Sequence, residues 1–267
     1  RNLLDGNGTI EEALPAGSVI AVKPGDPAPV GYTLFQHNEY NATLTWEEKA
    51  PVSVAREAVN GVEVLGGKIY FVGGIAGSAN LAERYDPASN QWETLNPLTT
   101  NRSNTTAARL HDKLYAIGGN DLSSVEIFNP GTGQWSAGPS LPGEINLGSA
   151  VSIEGKIFLV GGRNASDQVV NQVLEMNSAS NQWIQKATMP TARYGHALVE
   201  FQGKIWAIGG SNGSTLVNKV EIYDVTANTW TTGPSLPSVR EFASAWATGE
   251  RIYVAGGYDG SSYLNSI

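Results

Sequence analysis

Short apolar runs recur along the chain in one setting: a Lys or Arg, four apolar residues, then two glycines. They read KIYFVGG (68–74), KLYAIGG (113–119), KIFLVGG (156–162), KIWAIGG (204–210) and RIYVAGG (251–257). Runs this short, closed by glycine, predict strands rather than helices. The first glycines, Gly73, Gly118, Gly161, Gly209 and Gly256, lie 45, 43, 48 and 47 residues apart. After each of the first four pairs comes a second strand signal, around ERYDP, EIFNP, LEMNS and EIYDV, and then a tryptophan. Tyr85, Phe128, Met176 and Tyr223 precede Trp92, Trp135, Trp183 and Trp230 by seven positions without exception. Between the second glycine and that residue the gap varies as 11, 9, 14 and 13, so insertions are confined to one connection, the mark of a surface loop on a rigid repeat.

Each unit therefore reads as four strands: one such as HALVEF (196–201), the run into the Gly pair, the Glu-containing strand and the tryptophan strand. A lone four-stranded sheet leaves its faces wet and gains stability by packing on neighbours around an axis, which predicts an all-β propeller. The aromatics are expected to fill the contacts between blades, and the glycines to stand where the backbone needs positive φ or close approach. The double glycine, the Tyr-Asp pair and the spaced tryptophan resemble the kelch motif over roughly residues 46–267, with Phe128-Asn129 and Met176-Asn177 departing from Tyr-Asp.

The ends are not full repeats. Ten residues follow Gly257, and Trp46 precedes the first complete unit with no Gly pair before it. YTLFQHN and ATLTWEE, within residues 32–48, are expected to be N-terminal strands that close the ring and remove an exposed sheet edge. Direct completion of the last blade makes five blades. A further unit, or a degenerate blade around GSVIAVKPGD (17–26), makes six, the number favoured by analogy with kelch rings. The domain reading is an N-terminal extension or degenerate blade over 1–31 and a kelch propeller over 32–267, expected to belong to a larger protein.

Composition narrows the function. A formal net charge of -8 makes nucleic acid and anionic lipid poor partners, and the absence of cysteine excludes disulfides and thiolate sites. No apolar run approaches a membrane span. The sequons at Asn7, Asn41, Asn101, Asn104, Asn164 and Asn212 fit both a secreted, glycosylated chain and a composition rich in Asn, Ser and Thr; an extracellular setting is favoured. His37, His111 and His196 lack metal-ligand spacing, and no P-loop, Rossmann fingerprint or nucleophile elbow occurs. The crosslinked cysteine that galactose oxidase-like kelch enzymes need cannot form, and sialidase boxes are missing. No catalytic residue, cofactor or metal is expected.

One further periodic set remains. Arg56, Arg102, Arg193 and Arg240 lie 16 or 17 residues before their Gly pairs, and Glu144 stands at that distance in the third unit. Set in linkers between blades, they are candidates for a ligand-binding ring at the channel mouth. Resemblance to kelch adaptors of ubiquitin ligases implies arginines that hold acidic peptides. The competing reading is that each Arg bridges to carboxylates or carbonyls and locks one blade to the next. The expected function is a non-enzymatic recognition module, binding a peptide or glycan, with an anionic ligand suggested by the arginines. The alternatives are a sugar mutarotase or epimerase and a purely structural spacer.

Overall fold

The computed structural model describes residues 48–58, 61–75 and 79–267. The first blade is β1 (Gly61–Leu65), β2 (Lys68–Val72), β3 (Ala82–Asp86) and β4 (Gln91–Thr94). The second is β5 (Thr106–Leu110), β6 (Lys113–Ile117), β7 (Val125–Asn129) and β8 (Gln134–Ala137). The third is β9 (Ser149–Ile153), β10 (Lys156–Val160), β11 (Val173–Asn177) and β12 (Gln182–Gln185). The fourth is β13 (Ala197–Phe201), β14 (Lys204–Ile208), β15 (Val220–Asp224) and β16 (Thr229–Thr232). A two-stranded sheet, β17 (Ser244–Thr248) and β18 (Arg251–Ala255), begins a fifth. Four blades and part of a fifth thus make up an all-β propeller body over Lys49–Ile267. The expected closing strands at 32–47 and the stretch 17–26 lie outside the described residues.

Every pairing within a blade is antiparallel. The first and third hairpin turns therefore emerge at one face, and the loops between second and third strands emerge at the other, with the linkers to the next blade. The latter is the loop face. The constant spacing of seven has a direct cause in the third hairpin, where Tyr85 pairs with Trp92, Phe128 with Trp135, Met176 with Trp183 and Tyr223 with Trp230. Trp183 is buried, but the other three indoles are only half-buried on their outer strands. Each indole N–H donates to a linker carbonyl, of Ala50, Asn96, Pro139 or Ala187, at 2.7–2.9 Å. The tryptophans clamp the blade edges as well as fill space.

The core lies between blades. Tyr70 and Val72 of the first blade pack with Leu114, Ala116 and Phe128 of the second; Tyr115 and Ile117 pack with Ile157 and Leu159 of the third; Phe158 and Val160 pack with Ile205 and Tyr223 of the fourth. Among the described residues this series ends at β17 and β18. Trp246 on β17 is 43% exposed, whereas Val199 and Ala108, at the same place on β13 and β5, are 8% and 0% exposed.

The Gly pairs form the joints. A Cβ on Gly161 would lie 2.4 Å from the Arg193 carbonyl, and the Gly162 N–H donates to that same oxygen at 2.9 Å. Gly73-Gly74 receive the Arg102 carbonyl in the same way, so only glycine lets the linker dock this closely.

Candidate functional site

The linker arginines are the other half of these joints. While the backbone carbonyl docks on the preceding blade, the side chain reaches into the blade that follows. Arg102 donates from Nε to Glu126 at 3.2 Å, from one terminal nitrogen to the carbonyls of Gly118 and Ser124, and from the other to Ser124 Oγ. Arg193 repeats this with Glu221 at 2.5 Å, the carbonyls of Gly209 and Lys219, and Met189 Sδ. Arg56 pairs with Glu83 at 2.6 Å, and Arg240 donates to the Gly256 carbonyl, Ser238 and Ser266. The carboxylates Glu83, Glu126 and Glu221 come from one position, the second residue of the third strand in the first, second and fourth blades, a periodicity as visible in the sequence as that of the arginines. Neither Arg102 nor Arg193 has any exposed side-chain surface. Burial draws both guanidinium pKa values below the ordinary arginine range, with Glu126 and Glu221 opposing the shift. The geometry therefore places these side chains inside the blade walls and does not bring them together around a solvent-filled mouth.

Glu144 is not the counterpart of the arginines. The carbonyl that docks on Gly118-Gly119 belongs to Ile145, whose buried side chain joins the apolar layer between the second and third blades, while Glu144 points to solvent. Counting back from the Gly pairs misplaced it by one, because the length of the intervening stretch varies. In the third blade the carboxylate position is Leu174, so the ion pair gives way to an apolar pair, Ile145 and Leu174, in one core cluster, while Glu175, one residue on, meets Lys156 and Lys186 at 3.4 and 3.2 Å.

The channel itself is lined by the first strands and the linker ends, among them Thr106, Ser149, Ala197 and Ser244, around a cavity of about 400 Å³. At its loop-face mouth a second ring becomes visible. Two residues beyond each joint the chain turns left-handed, at Ala58, Asn104, Leu147, Gly195 and Phe242, with φ between 52° and 60°. For Leu147 and Phe242 this conformation is strained by about 1–2 kcal/mol. Phe242 is 50% exposed, and its ring covers Gly195, where a Cβ would meet it at 3.0 Å.

The residues between joint and left-handed position are Glu57, Ser103, Asn146, Tyr194 and Glu241. Their backbones bond to the residue after each Gly pair, namely Ile75, Asn120, Arg163, Ser211 and Tyr258. This collects a polar and aromatic notch from three blades. Arg163 stacks on the Tyr194 ring at 4.1 Å and pairs with Asp167 at 2.6 Å, and Tyr194 faces Phe242 with ring centres 6.3 Å apart. Asn146 Oδ1, Glu241 Oε2 and Arg163 Nε are buried and have no hydrogen-bond partner. Burial raises the Glu241 pKa, and nearby Arg163 partly lowers it. The notch escaped sequence reasoning because its signal, one residue past each Arg and each Gly pair, varies in residue type from blade to blade.

Of the histidines, His37 lies outside the described residues and His111 is exposed in a turn. His196 is buried between the third and fourth blades with neither ring nitrogen partnered, and burial, aided by Arg193, lowers its pKa to about 3. Among the described residues no three His, Asp or Glu side chains gather as a metal centre requires, and no helix is long and apolar enough to cross a membrane.

Comparison with known proteins agrees with this architecture. Residues 60–99 and 101–142 match the Kelch motif, and residues 148–267 match the KLHDC2/KLHL20/DRC7 Kelch-repeats domain. Kelch-like protein 1 of Mus musculus is 41% identical over 54 residues, covering 20% of this chain and 7% of that protein. Kelch-like protein 6 of Homo sapiens is 37% identical over 89 residues, covering 32% of this chain and 14% of that protein. The similarity thus spans a small part of these relatives' length. The solved structure of YjhT superposes with a TM-score of 0.69 at 19% identity, covering 79% of this chain and 74% of that one, a likeness of fold.

Proposed function

This chain belongs to the kelch-repeat family, and on that premise we propose that it is a non-enzymatic recognition module that holds a peptide segment of a partner protein at the loop face. The kelch-like relatives and the propeller fold support protein interaction as the class. One observation carries the location: a half-exposed Phe242 held left-handed at the channel mouth, beside buried polar atoms with no partner. Strain of this kind persists where surrounding structure enforces it, and it clusters at ligand sites. In this reading Arg56, Arg102, Arg193 and Arg240 serve the ligand indirectly, by fixing the linkers that carry the mouth residues, and Glu144 stands on the rim.

Arrayed peptides and glycans, probed with the full chain, test the reading. Peptide binding should be lost in Phe242→Asn, which tolerates a left-handed backbone, and kept in Asp112→Asn on the opposite face. Binding indifferent to Phe242 would refute the site. Among the described residues, Glu241 beside Arg163 is the arrangement that favours a sugar mutarotase or epimerase instead. Faster anomer exchange of free sugars by NMR, abolished in Glu241→Gln, would establish that reading.

A further inference from the structure

Building on the recognition reading above, we infer that the notch of Glu241, Phe242, Tyr194, Arg163 and Asn146 seats a Lys or Arg side chain of the partner, which makes the preferred ligand cationic. The arginines suggested the opposite charge, but their side chains are buried in the blade walls. Arg56, Arg102 and Arg193 are each spent on a carboxylate of their own blade, so little of their charge reaches the mouth.

The groups left open at the notch are mainly acceptors. Glu241 Oε2 and Asn146 Oδ1 are both buried without a donor, and each unsatisfied group of this kind costs stability until a ligand donor fills it. Among the described residues Arg163 is the cation whose side chain lies in the notch, and it is held by Asp167 at 2.6 Å and lies on the Tyr194 ring, while the side chain of Arg240, the joint residue before Glu241, is turned into the blade onto the Gly256 carbonyl, Ser238 and Ser266. Glu144, in the linker that leads to Asn146, and Asp259, next to Tyr258, add negative charge on this face. An approaching carboxylate would be repelled, whereas an ammonium or guanidinium would be attracted. Phe242 supplies what a long basic side chain also needs, an exposed aromatic face for its stem and for cation–π contact. A neutral sugar could satisfy the same acceptors but would gain nothing from the local charge.

The test uses the full chain and three pools of N-acetylated, C-amidated nonapeptides, random except for a central Lys or Arg, Glu, or Ala. The basic pool should bind tightest. Its affinity should fall as salt rises and drop by about tenfold in Glu241→Gln and in Phe242→Asn. Melting temperatures of both variants identify any loss due to unfolding, and the salt dependence of the unaltered chain stands independently of them. A Glu-centred pool that binds tightest and depends on Phe242 would overturn the cationic assignment and leave the recognition site standing. Preference for arrayed neutral glycans over every pool would overturn it as well. No Phe242-dependent binding of any pool or glycan would bring down both the assignment and the site.

Discussion

Replacing Arg193 with Ala removes a side chain with no exposed surface and four bonded partners. Glu221, 6% exposed at its side chain, would keep only Thr191 as donor, at 2.7 Å to the hydroxyl. The carbonyls of Gly209 and Lys219 would lose the donor they share, and only that of Lys219 would keep another, the Gly209 N–H at 2.9 Å. Breaking a buried ion pair from one side costs about 3–5 kcal/mol, and the stranded Gly209 carbonyl adds to it unless water enters the space left by the guanidinium. A loss of about 4 kcal/mol is therefore expected, measured by urea unfolding monitored by tryptophan fluorescence. Glu144→Ala, on the exposed rim, should stay within about 0.5 kcal/mol. The double change Arg193→Met with Glu221→Gln should cost less than Arg193→Ala alone, because both charges leave together. A loss below about 1 kcal/mol for Arg193→Ala would refute the joint.

Gly161→Ala drives a Cβ into the Arg193 carbonyl, while at Gly155 the same change meets open space; both are left-handed. Both should lose about 1–2 kcal/mol to backbone strain, and Gly161→Ala a further ~1–3 kcal/mol to the clash, read as melting temperatures. His196 is buried neutral with a pKa of about 3, so the unfolded chain takes up a proton that the folded chain refuses. Stability present in full above about pH 6.5 should then fall by about 1.4 kcal/mol per unit as pH drops toward 3. Urea titrations between pH 7 and 4.5 should show that slope lessened in His196→Gln, and equal slopes would contradict it. Trp183→Ala should cost about 3–5 kcal/mol by the same measurement, more than Trp135→Ala at a half-buried site.

The blades were legible because their signals are local. A spacing of seven residues is the register of one hairpin, and a Gly pair closing an apolar run marks a place where only a bare backbone fits. The arginines were legible as a set but not in role, because their fate depends on carboxylates such as Glu126 and Glu221, 24 and 28 residues away in sequence. Measured from the tryptophans, the joint residues Arg56, Arg102, Ile145, Arg193 and Arg240 all fall ten residues on. That count, taken along a stretch of constant length, separates Ile145 from Glu144. The notch was beyond reach, since Arg163, Tyr194 and Glu241 belong to separate connections that meet only when three blades pack.

Backbone hydrogen exchange on the full chain, with and without its best-binding peptide, tests the central claim most directly. Recognition at the loop face predicts slowed exchange at Arg163, Tyr194, Glu241 and Phe242, with no change at the opposite-face turns around Gly67, Asp112, Gly155 and Gly203. Protection confined to those turns would contradict it.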